Sequence, residues 1–330
     1  MYDVITVGSA TVDMFAKTQF SELIKIISPK REIDLLAYPA GSKILIEELQ
    51  YSVGGGGTNS AVALSRLGLK VAFLGKIGQG FHSELVLASL KKERVDTSLV
   101  CRDKSRTGYS IILDARGEDR TILAYKGSNN DLGYSEIRTS RLRTGWFYFS
   151  SMMGKSFRSM EKLAGFARKN GIKIAFNPSS YLAEMGADHL SHILKATEIL
   201  ILNDDEARLL VGDCPVLGLP RMLSLIGPRI VVVTMGSKGS LAYSGGKLYR
   251  VKPRKIRVVE TTGAGDAFAS GFLAGIIRKH DITFALQLGA LNAESVIQHH
   301  GAKNNLLSWR KAVSGVSAIG VRCCPESPRG

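Results

Sequence analysis

From residue 146 onward the chain alternates short apolar runs with helical patterns, a rhythm compatible with very few folds. WFYFS (146–150), IKIAFN (172–177), EILILN (198–203) and RIVVVTMG (229–236) are apolar almost throughout, rather than at every second position. A strand of that composition is buried on both of its faces. Helical patterns lie around 156–170 and 187–196, and another, at 204–211, follows the third strand. The alternation predicts a three-layer, doubly wound α/β fold, with a mostly parallel sheet covered by helices on both sides. VITVG at 4–8 and VAFLGKIG at 71–78 read as further buried strands, and 60–68 and 83–93 as helices.

Two stretches break the rhythm. A polar helix-and-turn stretch runs from the first strand to about residue 52, and GYSIIL (108–113) and RTILAY (120–125) read as a hairpin about the polar turn ARGED. Both are expected to stand apart as a small separate sheet. The last residues, VRCCPESPRG, read as an irregular tail within 315–330. With 330 residues and 45% hydrophobic content, one large domain over 1–330 has ample material for its core.

Charge narrows the partners. The chain carries 44 basic and 29 acidic residues, a net charge of +15, which favours anionic partners such as phosphorylated small molecules. The basic residues are dispersed, with short runs only at KKER (91–94) and KPRKIR (252–257). No basic stripe interleaved with aromatics argues for a nucleic-acid partner. Cys101, Cys214, Cys323 and Cys324 fit neither a disulfide framework nor a zinc site, so a reduced, cytoplasmic setting is expected. The start MYDVITVGSATVD lacks a signal-peptide pattern, and nothing in the sequence reads as a membrane span.

Glycine-rich segments carry the chemistry. GGGGTNSAVALSRLG opens with glycines that let a backbone approach a ligand closely, and Thr58 or Asn59 is a candidate cap for the helix that follows. A flexible hinge with an ordinary cap is the other reading. A Walker phosphate loop is excluded, because Phe149 stands where the glycine ahead of Gly154-Lys155-Ser156 would have to be. In NDDEARLL (203–210), Asn203 and Glu206 share the start of a helix. They suit either a hydrated Mg²⁺ beside phosphates or a capping box. TMGSKGS (234–240) is a strand end with two glycines, suited to close approach by a ligand.

The most informative stretch is TTGAGDAFASGF (261–272). It reads as a turn running into a buried helix of small and apolar residues, whose positive end presents the amides of Gly263, Ala264 and Gly265 to an anion. A carboxylate beside an anion site, Asp266, is electrostatically awkward. Either it is merely a first-turn acid that suits the helix dipole, or the anion is a phosphoryl group in transfer and the acid takes the proton of the attacking hydroxyl.

GGGTNSA (55–61) followed by Gly68 and Gly78, and TTGAGDAFASGFL (261–273), make the chain resemble the ribokinase, or PfkB, family of carbohydrate and nucleoside kinases. NDDE and TMGSKG fall between them in the expected order, so the likeness runs from the first strand to about residue 305. It implies a ribokinase-like α/β fold with a small β lid, drawn here from about 16–52 and 106–128. It implies Asp266 as general base, with Gly263, Ala264 and Gly265 as anion hole. Asp13, Gly55, Gly56 and Asn59 would hold substrate hydroxyls, and Thr234, Gly236, Gly239 and Asn292 the nucleotide. Asn203 and Glu206 would support Mg²⁺ through water. The donor would be ATP and the acceptor the hydroxymethyl group of a sugar, ribose or a ketohexose first. A nucleoside 5′-hydroxyl is the rival, with Phe15, Phe20, Tyr38 and Tyr51 available to stack on a base. A sugar phosphate or keto-deoxy acid is a third option, for which Arg106, Arg116 and Arg120 could supply charge. A nucleotide-responsive protein without catalysis is the non-enzymatic reading. Pairing through the lid into a homodimer is left open. Three departures stand out: Glu260 where many members have Asp, which leaves activation by a monovalent cation open; Gly78-Gln79-Gly80 where many have Gly-Asp-Asp; and a segment between Asp13 and Gly54 longer than in ribokinases and closer to adenosine-kinase-like members, which makes a nucleoside the rival.

Overall fold

The computed structural model describes residues 1–18, 22–28, 31–114 and 120–325. Strand β1 (Tyr2–Val7) passes through Gly8, Ser9 and Ala10 into β2 (Thr11–Lys17). A hairpin of β3 (Glu22–Ser28) and β4 (Arg31–Ala37) follows, then β5 (Glu48–Gly54), which leads across Gly55 into α1 (Gly56–Arg66). Next come β6 (Val71–Leu74), β7 (Lys76–Gln79), α2 (Phe81–Lys92), β8 (Cys101–Arg106), β9 (Gly108–Asp114) and β10 (Arg120–Tyr125). The regular alternation comprises β11 (Thr144–Ser150), α3 (Gly154–Lys169), β12 (Lys173–Asn177), α4 (Ser180–Ala183), α5 (Gly186–Leu194), β13 (Ile199–Asn203), α6 (Asp204–Val211), α7 (Leu219–Ser224) and β14 (Ile230–Thr234). Hairpin strands β15 (Ser240–Ser244) and β16 (Lys247–Val251) precede the helix pair α8 (Ala264–Lys279) and α9 (Ile282–Val296). Helix α10 (Trp309–Gly315) and β17 (Val321–Pro325) come last.

The central sheet has nine strands in the order β17-β16-β15-β14-β13-β12-β11-β1-β6. From β6 to β14 every pairing is parallel, and the β15–β16–β17 side is antiparallel. In β11, Trp146 and Tyr148 join the core beneath α1, α8 and α9, while Phe147 and Phe149 join the opposite core beneath α3 and α5. Val4 and Ile5 divide in the same way. Double-sided burial is why these strands are apolar at every position.

Helices α8 and α9 explain the small-residue run. A Cβ on Gly275 would lie 2.5 Å from the Ala285 Cα, and one on Gly271 would lie 2.8 Å from the Leu288 carbonyl oxygen. The two backbones touch, and only glycine admits that approach.

Four expectations are corrected. The stretch to residue 52 holds strands, not helix and turn: β2 and β5 pair with each other, β2 also pairs with β9, and β9 pairs with β10. This gives a four-stranded lid of order β10-β9-β2-β5, so its early strands lie at 11–17 and 48–54. The run at 71–78 is two strands, β6 in the central sheet and β7 paired with β8. The cap of α1 is neither Thr58 nor Asn59 but Gly55, whose φ of 95° brings the chain into the helix one turn earlier. The C-terminal stretch is not irregular throughout, because Val321–Pro325 pairs along β16 and covers that sheet edge. The turn at 115–119, Phe20, Arg116 and residues 326–330 lie outside the described residues.

Candidate active site

A cavity of about 390 Å³ opens where the parallel strands end. It is lined by Ser9 after β1, Ser150 at the end of β11, Asn177 and Asn203 at the ends of β12 and β13, and Thr234 at the end of β14. Gly56, Glu206, Gly263, Gly265 and Asp266 complete its working wall. Residues scattered over most of the sequence are thus gathered by the strand ends and by the starts of α1, α6 and α8.

Asp266 sits in the first turn of α8, partly buried. Its Oδ2 accepts from Asn59 Nδ2 at 2.9 Å, which fixes the carboxylate against α1. Burial pushes its pKa up to about 6, against the opposing pull of the Asn59 amide and the Lys303 cation. The other end of the Asn59 side chain, Oδ1, is a buried acceptor without a partner among the described residues. A ligand hydroxyl would satisfy it.

The amides ahead of α8 are partly as expected. Gly263 caps the helix in the left-handed conformation, φ 80°, and a Cβ there would fall 2.5 Å from the Ala302 Cβ. The amides of Gly263, Gly265 and Asp266 have no acceptor among the described residues. Ala264 departs from expectation. Its amide donates to the Thr261 carbonyl at 3.1 Å, closing the turn that precedes the helix, so it is not bare.

Asp13 lies on the lid strand β2, on the same sheet face as Ser110 of β9 and Ser52 of β5. Burial raises its pKa, with Ser110, Lys303 and Thr11 pulling the other way. Gly54 packs against it: a Cβ there would meet Asp13 Oδ2 at 2.1 Å and displace the carboxylate. Tyr51 alternates onto the opposite face and packs edge-on to Phe81 at 6.1 Å, so it does not stack in the site. Phe15 shares the Asp13 face by strand period.

Asn203 and Glu206 form a reciprocal capping box. Asn203 Oδ1 accepts from the Glu206 amide at 2.7 Å, and Glu206 Oε2 accepts from the Asn203 amide at 3.0 Å. Glu206 Oε1 accepts from Ser180 Oγ at 3.3 Å, and burial raises this acid's pKa. With these oxygens engaged, the pair fits a Mg²⁺ ion that keeps its own water shell rather than one ligated directly.

The nucleotide candidates divide. Thr234 lines the cavity; Gly236 and Gly239 lie beyond it in the turn to β15, where the Gly239 amide donates to the Gly236 carbonyl. Asn292 is corrected: it is fully buried, and its amide donates to the Ala267 carbonyl at 2.8 Å and accepts from the Leu307 amide at 3.1 Å. It holds α9 against the start of α8 and does not line the cavity. Glu260 is buried and accepts from the Gly301 amide at 3.0 Å, with His300 Nδ1 at 3.3 Å. Arg106 is exposed and outside the cavity; the cation lining it is Lys126, which stacks on Tyr181 at 4.7 Å.

Three residues escaped sequence reasoning. Lys303 bonds to the Val53 carbonyl and Thr58 Oγ1, and burial pulls its pKa down to about 7, despite the attraction of Asp13, Asp266 and Glu93. Asn129 clasps Ala10, donating to its carbonyl and accepting from its amide, both at 2.9 Å. Asn177 lies at the cavity wall, bonded to the Ile201 carbonyl at 2.7 Å. None of the three belongs to a local motif.

Fold and cavity together describe an α/β protein with its principal candidate site at the carboxyl edge of a parallel sheet. Residues 22–309 match the family model described as pfkB family carbohydrate kinase, and the chain belongs to that family. It is therefore a phosphotransferase with an alcohol acceptor. It is 32% identical to an "uncharacterized sugar kinase" of Archaeoglobus fulgidus over 250 residues, 74% of this chain and 98% of that protein. It is 27% identical to the ribokinase of Haemophilus influenzae, with 81% of this chain and 88% of that protein covered. Its fold is similar to that of Arabidopsis thaliana ribokinase, solved with ribose and ATP, at a TM-score of 0.79 and 20% identity, covering 96% of this chain and 98% of that one. Among the described residues, no helix is long and apolar enough to cross a membrane.

Proposed function

We propose that this carbohydrate kinase transfers the γ-phosphoryl group of ATP to the hydroxymethyl group of a sugar, a pentose such as ribose or a ketohexose, with Asp266 as general base. The observation that carries this reading is the pairing, within one turn of α8, of a carboxylate held by Asn59 with unbonded amides at the positive end of the helix. Asp266 takes the hydroxyl proton as the acceptor oxygen bonds to phosphorus, the bond from phosphorus to the ADP oxygen breaks, and ADP leaves. The amides of Gly263, Gly265 and Asp266 stabilise negative charge growing on the phosphoryl oxygens. Asp13 and the unpartnered Asn59 Oδ1 orient the sugar hydroxyls, as support for the right reaction geometry. A hydrated Mg²⁺ held near Asn203 and Glu206 would supply charge neutralisation at the phosphates. The nucleoside reading loses one of its four aromatics, Tyr51, to the lid face opposite Asp13, and keeps Phe15 on the Asp13 face.

A coupled ADP-release screen over pentoses, hexoses, sugar phosphates, keto-deoxy acids and nucleosides tests the acceptor. On the preferred sugar, Asp266→Asn should lower kcat by about 10²–10⁴-fold while ATP affinity is retained. A fully active Asn variant refutes the base assignment, and turnover confined to nucleosides refutes the sugar.

A further inference from the structure

Lys303 lies in the loop after α9, on the seam between lid and platform. Its Nζ donates to the Val53 carbonyl of β5 at 2.8 Å and to Thr58 Oγ1 of α1 at 2.9 Å. Thr58 Oγ1 donates in turn to the Gly54 carbonyl at 2.6 Å. The ammonium thus spans the joint where the lid strand becomes the helix that carries Asn59. Both acceptors are neutral, and a neutral side-chain amide could donate to them equally well. The positive charge calls for another explanation.

That explanation is the set of charges around it. Asp13 of β2, Asp266 of α8 and Glu93 after α2 attract it, while Arg66 of α1 repels it. Both site acids belong to the same joint, since Asp13 Oδ2 lies against Gly54 and Asp266 is bonded to Asn59. Glu93 is already committed to Arg66, whose Nη2 lies 2.6 Å from Glu93 Oε1 and whose Nη1 donates to the Lys303 carbonyl at 3.1 Å. The two acids left for Lys303 to compensate are those that flank the proposed sugar, Asp13 and Asp266. Asp266 also faces Tyr148 of β11, whose phenol burial keeps protonated, and Glu206 and Lys126 line the same cavity. Burial makes each of these carboxylates take up a proton more readily. The Lys303 cation opposes this at both.

We propose that Lys303 is a positioning residue that keeps Asp266 ionised and ready to accept a proton, by supplying the positive charge shared by Asp13 and Asp266. This rests on the reading of Asp266 as general base. The ammonium is charged below about pH 7, which spans the range in which Asp266 titrates, so its influence falls on the acid side of the activity profile.

The test is the pH dependence of kcat/KM for wild type, Lys303→Met, Lys303→Gln and Lys303→Arg, with urea denaturation of each. Wild-type activity should fall as pH drops through about 6. Methionine and glutamine should move that acid limb upward by about one pH unit, and arginine should leave it in place. Glutamine retains donors for Val53 and Thr58, so it covers the case in which the methionine variant does not fold. A tether without an electrostatic role would alter KM or the urea midpoint in all variants with no movement of the limb, and that result overturns the proposal. The two readings fail separately. An active Asp266→Asn removes the base, whereas an inactive Asp266→Asn with an unmoved limb in Lys303→Gln removes only the role of Lys303.

Discussion

Asp266 carries an energetic burden that its chemistry explains. Its folded-state pKa, pushed by burial to about 6, stands above the ordinary 3.8, so the folded protein binds its proton more tightly than the unfolded chain does. That contribution to stability is fully present below about pH 4 and is lost as pH rises through about 6. At about pH 8 the ionised carboxylate should therefore cost up to about 3 kcal/mol. Asp266→Asn should raise the urea midpoint at about pH 8, and the gain should vanish below about pH 4. Equal midpoints at the alkaline pH would show that the acid is better solvated than its burial indicates. The place of Asp266 in the first turn of α8 was legible in the sequence because the turn and the acid are neighbours in TTGAGD. Lys303 was not, because its acceptors Val53 and Thr58 lie 250 and 245 positions away.

Among the elements, glycine has opposite meanings in two helices. In α8 it permits contact, with the Ala285 Cα standing where the Gly275 Cβ would go. Gly275→Ala should force α8 and α9 apart and destabilise by about 1–3 kcal/mol. In α3 a Cβ on Gly165 meets nothing within 4 Å. Gly165→Ala should stabilise by about 0.5–1 kcal/mol through helix propensity alone. Paired urea titrations measure both, and a shift of the same sign in the two variants would contradict the contact geometry. The parallel strands were readable because two-sided burial writes an uninterrupted apolar run into each of them. Strand β2 was not, because TVDMFAK mixes polar and apolar positions and becomes a strand through its partners β5 and β9. The hairpin β15–β16 was likewise silent, since it extends the sheet at its antiparallel side, outside the strand–helix rhythm.

Over the whole molecule, the sheet is finished by its last described residues. Strand β17 pairs with β16 from Val321 to Pro325 and occupies the edge of the nine-stranded sheet. Removing residues 321–330 should leave the backbone groups of β16 open to other chains. The truncated protein should show a lower thermal midpoint and earlier light scattering on heating, with the ADP-forming rate per folded molecule unchanged. Full solubility and an unaltered midpoint would mean that β17 contributes nothing to the edge. At the other side of the cavity, Gly8, Ser9 and Ala10 run from β1 into the lid, Asn129 clasps Ala10, and Gly55 alone separates β5 from α1. The cover is therefore hung on two short pivots, one of them at the root of the helix that carries Asn59. In the reaction proposed above, swinging it shut over a bound molecule would pull on that helix, so that capture of the acceptor and alignment of Asp266 beneath it would become a single mechanical movement.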